Sequence, residues 1–479
     1  VSLPCPDFAA APHRLSGVVY GCLLNHAPAL AALGDAVHQP PYKAPPKAPV
    51  LYIKPRNTLA TPGQAVAVPA EVPALQVGAT LGLVIGRTAC RVSEADALAH
   101  VAGVLIVNDL SVPHDSFYRP SVRFKARDGS CPLGGRVLPL AALPAPVDAL
   151  GVRVFVDGAL VHSSSTGERI RSAARLLAEV SEFMTLSPGD VLMLGVAAGA
   201  PLARAGQTVR VEIDGLGALE TPLVAEPAAG ADVATAPMAA LPQAGDATPT
   251  ARVAYDGAVH SATPHPAGLQ LADGRVLAEH QVSWLPPFEV GTIIALGLNY
   301  ADHVKELSKE LTLTAQDEPL VFLKGPGSLV GHRGHTRRPA DASFMHYECE
   351  LAVVIGRTAR GVPAADAMAH VAGYTVCNDY AVRDYLENWY RPNLRTKNRD
   401  GGTVLGPWFV PAAAVPDPHA LALRTLVNGQ CTQQGSTAHM VNRIPALIAY
   451  LSSFMTLQPG DVILTGTPDG VVNVNPGDA

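Results

Sequence analysis

The chain carries one long segment twice. VIGRTACRVSEADALAHVAGVLIVND, Val84 to Asp109, returns as VIGRTARGVPAADAMAHVAGYTVCND, Val354 to Asp379, 270 residues later. Solenoid units run to roughly 20–50 residues, so a period this long means that a whole domain is duplicated in tandem. Length agrees, because 479 residues exceed what one ordinary hydrophobic core organises. The two copies are bound to one fold. Where they differ in residue type, something other than folding sets the difference.

The segments recur in one order. LSGVVYGCLL and FEVGTIIALGLNY each read as a first buried strand, and VLYIKP and LVFLKGP as the next. GVRVFVDGALVHS and LRTLVNGQCTQQ are hairpins turning at Asp157-Gly158 and Asn428-Gly429. IRSAARLLAEVSEFM and IPALIAYLSSFM are amphipathic helices, followed by the closing strands LSPGDVLMLG and LQPGDVILTG. These matches place repeat one at 14–224 and repeat two at 251–479. The stretch between them, 225–250, has small residues, prolines and no hydrophobic period, and reads as a solvated linker. Strands dominate and helices are short, which predicts an α+β fold around curved mixed sheets. Repeat one runs on into TVRVEIDGLGAL, whereas the chain stops at Gly477-Asp478-Ala479; repeat two is therefore expected to lack its last strand or two.

A formal charge of −6 gives no reason to expect nucleic acid or an anionic membrane as partner. Seven cysteines without CxxC spacing predict buried thiols in a reducing compartment. Neither a signal-like leader nor a run of about 18 apolar residues is present, so the expectation is a soluble cytoplasmic protein. No Walker loop, no GxGxxG after a strand and no GxSxG occurs.

The copies part company at their acids. Repeat two enters the duplicated block through Glu348-Cys349-Glu350, where repeat one has Gly78-Ala79-Thr80. Strand alternation puts Glu348 and Glu350 on one face, roughly 7 Å apart, and turns Cys349 and Leu351 toward a core. Asp379 closes a second strand. Three converging carboxylates repel unless a cation neutralises them, and an all-oxygen set suits a hard divalent ion rather than zinc. The alternative is a solvated strand face with an unrelated aspartate; Asp109 survives in repeat one, so Asp379 alone is compatible with structure.

Three further differences and one shared lysine lie nearby. His303 and Glu306 are i,i+3 neighbours entering a helix, a pairing that suits proton transfer, and repeat one has Ala29 and Ala32 there; an exposed helix start is the plainer account. Arg383 faces Pro113 across the repeat and can clamp a carboxylate. Thr465-Gly466-Thr467-Pro468 replaces Leu194-Gly195-Val196-Ala197 and offers hydroxyls and N–H groups to an anion. Lys397, in RTKNRDG, is shared with Lys125 and serves either an oxyanion or a turn closed on Asp400. Lys324 and Lys54, and His100 and His370, are shared pairs read as structural.

In order along the chain, Glu348-x-Glu350, Asp379 about thirty residues on, Lys397 and the TGTP turn resemble the hallmark of the fumarylacetoacetate hydrolase family. The resemblance spans almost the whole chain. It implies a duplicated mixed β-sandwich roll with short helices. It implies a divalent metal on Glu348, Glu350 and Asp379, with Mg²⁺ placed ahead of Mn²⁺ and Ca²⁺. His303, Glu306 and Lys397 would be catalytic, and Arg383, Thr465 and Thr467 substrate-binding. The partner would be a small di- or tricarboxylate, and the protein a monomer or small homo-oligomer. YKAPPKAP, FYRPSVRFKARDG, YRPNLRTKNRDG and the duplicated length narrow the resemblance. They point to decarboxylation of 5-oxopent-3-ene-1,2,5-tricarboxylate and isomerisation of 2-hydroxyhepta-2,4-diene-1,7-dioate-type intermediates in 4-hydroxyphenylacetate catabolism. The rival within the family is a metal-dependent C–C hydrolase of an acylpyruvate or fumarylacetoacetate-like compound, with repeat one a non-catalytic scaffold. Repeat one departs from the pattern, lacking the acid pair, the His–Glu pair and the TGTP turn.

Overall fold

A computed structural model describes residues 3–4, 18–226, 241, 247–301 and 318–479. Repeat one is built on a five-stranded mixed sheet of β1 (Val19–Leu23), β2 (Val50–Lys54), β3 (Ala79–Ile85), β4 (Val101–Asn108) and β5 (Val191–Met193), in the order β2-β1-β5-β3-β4. Repeat two repeats that order. Its strands are β6 (Ile293–Gly297), β7 (Leu320–Lys324), β8 (Cys349–Ile355), β9 (Val371–Asp379) and β10 (Val462–Leu464), arranged β7-β6-β10-β8-β9. Only the β1–β5 and β6–β10 pairings are parallel. Even the irregularities match: the β3–β4 ladder slips at Val84/Ile85 and the β8–β9 ladder at Val354/Ile355. The central strands are apolar on both faces, as strands covered on both sides must be.

One helix follows each hairpin: α1 (Ala173–Ser181) and α2 (Ile444–Ser452). Leu176, Leu177 and Val180 are buried on α1, and Leu447, Ile448 and Leu451 on α2, the spacing of a helix with one inward stripe. Ser172 caps α1 by accepting from the Arg175 N–H at 3.1 Å, and a proline opens α2. Both hairpins turn on left-handed pairs, Asp157-Gly158 and Asn428-Gly429.

The second sheets differ. In repeat one the hairpin Gly151–Val156/Ala159–Ser165 is extended by Thr208–Ile213, Gly217–Ala225 and Val66–Val68. In repeat two, among the described residues, Ala422–Val427 and Gln430–Ser436 stand as a two-stranded sheet. Val376 is consequently 52% exposed where its counterpart Ile106 is 3% exposed. Repeat two also has an element the sequence reading did not separate, a five-stranded sheet between Ala251 and Trp284.

Chain contacts divide the molecule into two compact units: unit 1 is Val1–Asp232 with Glu387–Leu394, and unit 2 is Val233–Leu386 with Arg395–Ala479. The contiguous division at 14–224 and 251–479 is thus interrupted by one short excursion of repeat-two sequence. Within unit 1, the Trp389 ring stacks on Tyr42 at 4.1 Å and its Nε1–H donates to the Ala44 carbonyl at 2.8 Å. Trp389 and Tyr390 belong to the same apolar cluster as Val19, Val50 and Val191. Of the linker 225–250, residues 227–240 and 242–246 lie outside the described set. Among the described residues, no helix is long and apolar enough to cross a membrane, and the cysteines are free thiols; Cys22, Cys131, Cys349 and Cys377 are buried as expected, whereas Cys90 and Cys431 are exposed.

Candidate metal centre

The site of repeat two is made by strand register. Cys349 faces Asn378 and Glu350 faces Cys377 across the β8–β9 ladder, and the Asp379 N–H donates to the Glu348 carbonyl at 2.9 Å. Glu348 and Asp379 are therefore cross-strand neighbours, and alternation brings Glu350 to the same face. One oxygen from each of the three carboxylates lies within 4.8 Å of the others. Glu350 and Asp379 are fully buried. Convergence on one covered face removes the alternative of a solvated strand.

Two lysines brace the acids. Lys397 Nζ lies 2.7 Å from Glu348 Oε2 and 2.8 Å from Asp379 Oδ2. Lys324 Nζ lies 2.5 Å from Asp379 Oδ1 and also donates to the Lys397 carbonyl. Lys324 was read as structural from sequence; it stands inside the cluster. Lys397 pairs with the site acids rather than closing a turn on Asp400. Burial opposes its charge, but Asp379 and Glu348 outweigh that and hold its ammonium above the usual range.

Glu350 is the strained member. Its Oε2 accepts the Gly466 N–H at 2.6 Å, while its Oε1 is buried with no hydrogen-bond partner among the described residues. Burial, then the Asp379 and Glu348 charges, push its carboxyl well above the ordinary carboxylate range; Lys397 and the Gly466 N–H oppose them. A buried carboxylate oxygen left unpaired between two others is costly unless a cation meets it. Three hard oxygen donors, one of them unmet, fit a divalent ion of the Mg²⁺ kind.

The turn after β10 is held from behind. Asn299 donates to the Thr465 carbonyl at 2.9 Å and to Asn442 O at 3.1 Å, and accepts from the Asn442 N–H at 2.8 Å. Asn25 does the same in repeat one, on Leu194 and Arg171. Gly466 has φ +87°, and an added Cβ would lie 3.1 Å from Asn299 Cβ, so glycine lets the N–H reach Glu350. The Thr465 hydroxyl donates to Leu351 O at 2.8 Å and Thr465 is fully buried, so it braces the turn instead of facing a ligand as the sequence suggested. Thr467 accepts from Gln433 Nε2 at 2.9 Å.

His346 was missed. It sits two residues before Glu348, so alternation was the available signal. Its Nδ1 is 3.7 Å from Glu348 Oε1 and its buried Nε2 has no partner among the described residues. Burial lowers its pKa to about 4 against the pull of Glu348, with Lys397 and Arg383 also disfavouring a charge. Arg383 is thereby placed beside the cluster. His303 and Glu306 lie outside the described residues.

The family model described as Fumarylacetoacetate (FAA) hydrolase C-terminal matches this chain twice, over residues 18–224 and 292–479. The chain belongs to the fumarylacetoacetate hydrolase family. It is 44% identical to the 4-hydroxyphenylacetate degradation bifunctional isomerase/decarboxylase of Salmonella dublin, over 97% of this chain and 95% of that one. It is likewise 44% identical to the homoprotocatechuate catabolism bifunctional isomerase/decarboxylase of Escherichia coli, over 96% of this chain and 94% of that protein. Among solved structures it is similar to a 5-carboxymethyl-2-hydroxymuconate delta-isomerase from Mycobacterium smegmatis, with 37% identity and a TM-score of 0.41, over 48% of this chain and 91% of that one. The twofold match of this family's model bears out the α+β duplication read from the repeat.

Proposed function

We propose that this member of the family is a bifunctional decarboxylase/isomerase of 4-hydroxyphenylacetate catabolism. It would act on 5-oxopent-3-ene-1,2,5-tricarboxylate and its dienol product, with its chemistry in repeat two. The observation that carries the site is the unmet Glu350 Oε1 within a cluster of three carboxylates, two of them fully buried. Its relatives at 44% identity over nearly full length carry the two activities in their names.

Glu348, Glu350 and Asp379 would hold the divalent ion, Mg²⁺ first. Bound there, such an ion supplies Lewis-acid withdrawal of electrons from a 2-oxo acid. Lys397 pairs with both Glu348 and Asp379 and Lys324 with Asp379, which holds these carboxylates in place. Arg383 and Thr467 would hold substrate carboxylates, the guanidinium by a paired bond and the hydroxyl by a single one. Loss of CO₂ leaves an electron pair conjugated with the 2-oxo group. Protonation further along the conjugated chain then moves the double bond, and His303, oriented by Glu306, is assigned that proton. Repeat one lacks the acids and is assigned no chemistry. The reading includes a cytoplasmic protein working as a monomer or small homo-oligomer, without nucleic-acid or membrane partners.

The test is turnover of the tricarboxylate by purified protein, following CO₂ and ultraviolet absorbance together. Expected are CO₂ release and a dienol transient, both abolished by EDTA and restored by Mg²⁺. Appearance of a pair of acids from C–C hydrolysis without CO₂, or full activity in EDTA, overturns it.

A further inference from the structure

Gln433, on the strand Gln430–Ser436, is 2% exposed and bonded at both ends of its amide. Its Oε1 accepts the Thr425 hydroxyl at 2.9 Å. Its Nε2 donates to the Pro468 carbonyl at 2.8 Å and to Thr467 Oγ1 at 2.9 Å. A carbonyl oxygen can only accept, so the end of the amide facing Pro468 must be the NH₂ end. Thr467 Oγ1 is therefore used as an acceptor, and its own proton is turned away from Gln433. No acceptor for that proton is present among the described residues, although Thr467 is 3% exposed. The preceding residue, Gly466, sends its N–H to Glu350. A buried hydroxyl with a directed, unanswered proton thus sits one residue from the carboxylate cluster.

Repeat one supplies the contrast. Counting from the two hairpin turns, Gln433 corresponds to His162 and Thr467 to Val196. The His162 Nε2 meets the Ala198 carbonyl at 2.8 Å, which holds a loop but has no hydroxyl to aim. Where the hydroxyl is absent, so is the amide.

We propose that Gln433 is a positioning residue: by donating to Thr467 Oγ1 it fixes that hydroxyl as a hydrogen-bond donor to an anionic oxygen of the bound 2-oxo acid. This rests on the site assignment above and adds the group that sets the direction of one of its bonds. The amide accomplishes what a free threonine cannot, since an unconstrained hydroxyl rotates between donor and acceptor roles.

The experiment is a double-mutant cycle of Gln433→Met and Thr467→Val in the full chain. Two readouts are used: turnover of the tricarboxylate with Mg²⁺, and calorimetric binding of oxalate with Mg²⁺. Each single variant is expected to lose roughly 10- to 100-fold in kcat/KM and in oxalate affinity, the size of a hydrogen bond to a charged group. The double variant is expected to be no worse than Thr467→Val alone. Thr425→Val, which releases the far end of the amide, is the second variant should Gln433→Met fold poorly. It is expected to cause a smaller loss that also vanishes in the Thr467→Val background. A Gln433 that merely holds the hairpin would lower both readouts equally with Val or Thr at 467; additive losses, or no loss in the single variants, overturn the proposal. An inactive wild type that binds oxalate with the expected coupling would sink the assigned reaction and leave the role of Gln433 standing.

Discussion

The two copies of the site hold the same aspartate and lysine pair but not the same charge. In repeat one, Asp109 is met by Lys54 at 3.0 Å, by Lys125 at 2.9 Å and by the Tyr52 hydroxyl. One carboxylate faces two ammonium groups; its Oδ2 takes Lys125 and Tyr52, while its Oδ1 meets Lys54 as an ion pair and has no hydrogen-bond partner among the described residues. Burial opposes its ionisation, but Lys125 and Lys54 together hold its carboxyl far below the usual range. In repeat two Phe322 replaces Tyr52 and cannot cap Asp379, while Glu348 and Glu350 add two charges. Three carboxylates then face two ammonium groups, one negative charge in excess. A divalent ion turns that to one positive, the balance repeat one already has. The same scaffold carries a tyrosine against the aspartate in one copy and, in the function proposed above, would take a metal in the other.

The largest test of this contrast is Glu350→Gln. Turnover should fall at least about 10³-fold, since several kcal/mol of charge stabilisation go with the ion. Mg²⁺ should also cease to raise the melting temperature; retention of either effect breaks the comparison at its centre. Next is Asp109→Ala, which leaves two buried lysines facing each other. Removing one side of a buried ion pair costs about 3–5 kcal/mol, to be read by chemical denaturation, while Mg²⁺ affinity should hold within about twofold. Smaller still is an attempt to equalise the copies. Gly78→Glu with Thr80→Glu should not create a second ion site by calorimetry, because a Cβ at Gly78 would lie 2.1 Å from the Asp109 carbonyl oxygen. Two bound ions per chain would show that side chains alone decide.

The smallest effect is in pH, and the copies should carry opposite signs. Asp109 has a depressed pKa, so its contribution is full above about pH 4, the unfolded value, and is lost as the solution is acidified below that. Glu350 has a raised pKa. In EDTA its contribution is full below about pH 4.3 and is lost as pH rises through its folded value. Mg²⁺, which needs the ionised form, should remove that second loss. Denaturation across about pH 2–8 with and without EDTA reads both, the Asp109 loss below about pH 4 and the Glu350 loss above it, and a Glu350→Gln chain that keeps the EDTA-dependent slope would assign it elsewhere.

The duplication, the hairpins, the helices and the three acids were legible because each is a local pattern, of alternation, turn chemistry or period. The contrast at Gly78 and Thr80 did what a lone ExE cannot, since the second copy served as a control. What stayed hidden was long-range. Lys324 looked structural because both repeats keep it, yet the fold sends it from β7 to Asp379. Thr465 looked like a ligand until its hydroxyl met Leu351. Gln433 became visible only as a partner of Pro468, thirty-five positions away. The small sheet from Ala251 to Trp284 was overlooked because its strands are short, punctuated by glycine turns, and have no counterpart to align with.

The stacking of Trp389 on Tyr42 has a bearing on how such a protein can be dissected. A polypeptide stopped anywhere ahead of residue 387 would deprive its own N-terminal body of two aromatic rings, and the remainder would carry them with nothing to lie against. No single scission yields two intact halves. Evolution can lengthen or decorate this gene, but splitting it back into separate units would require re-engineering the place where those rings now rest.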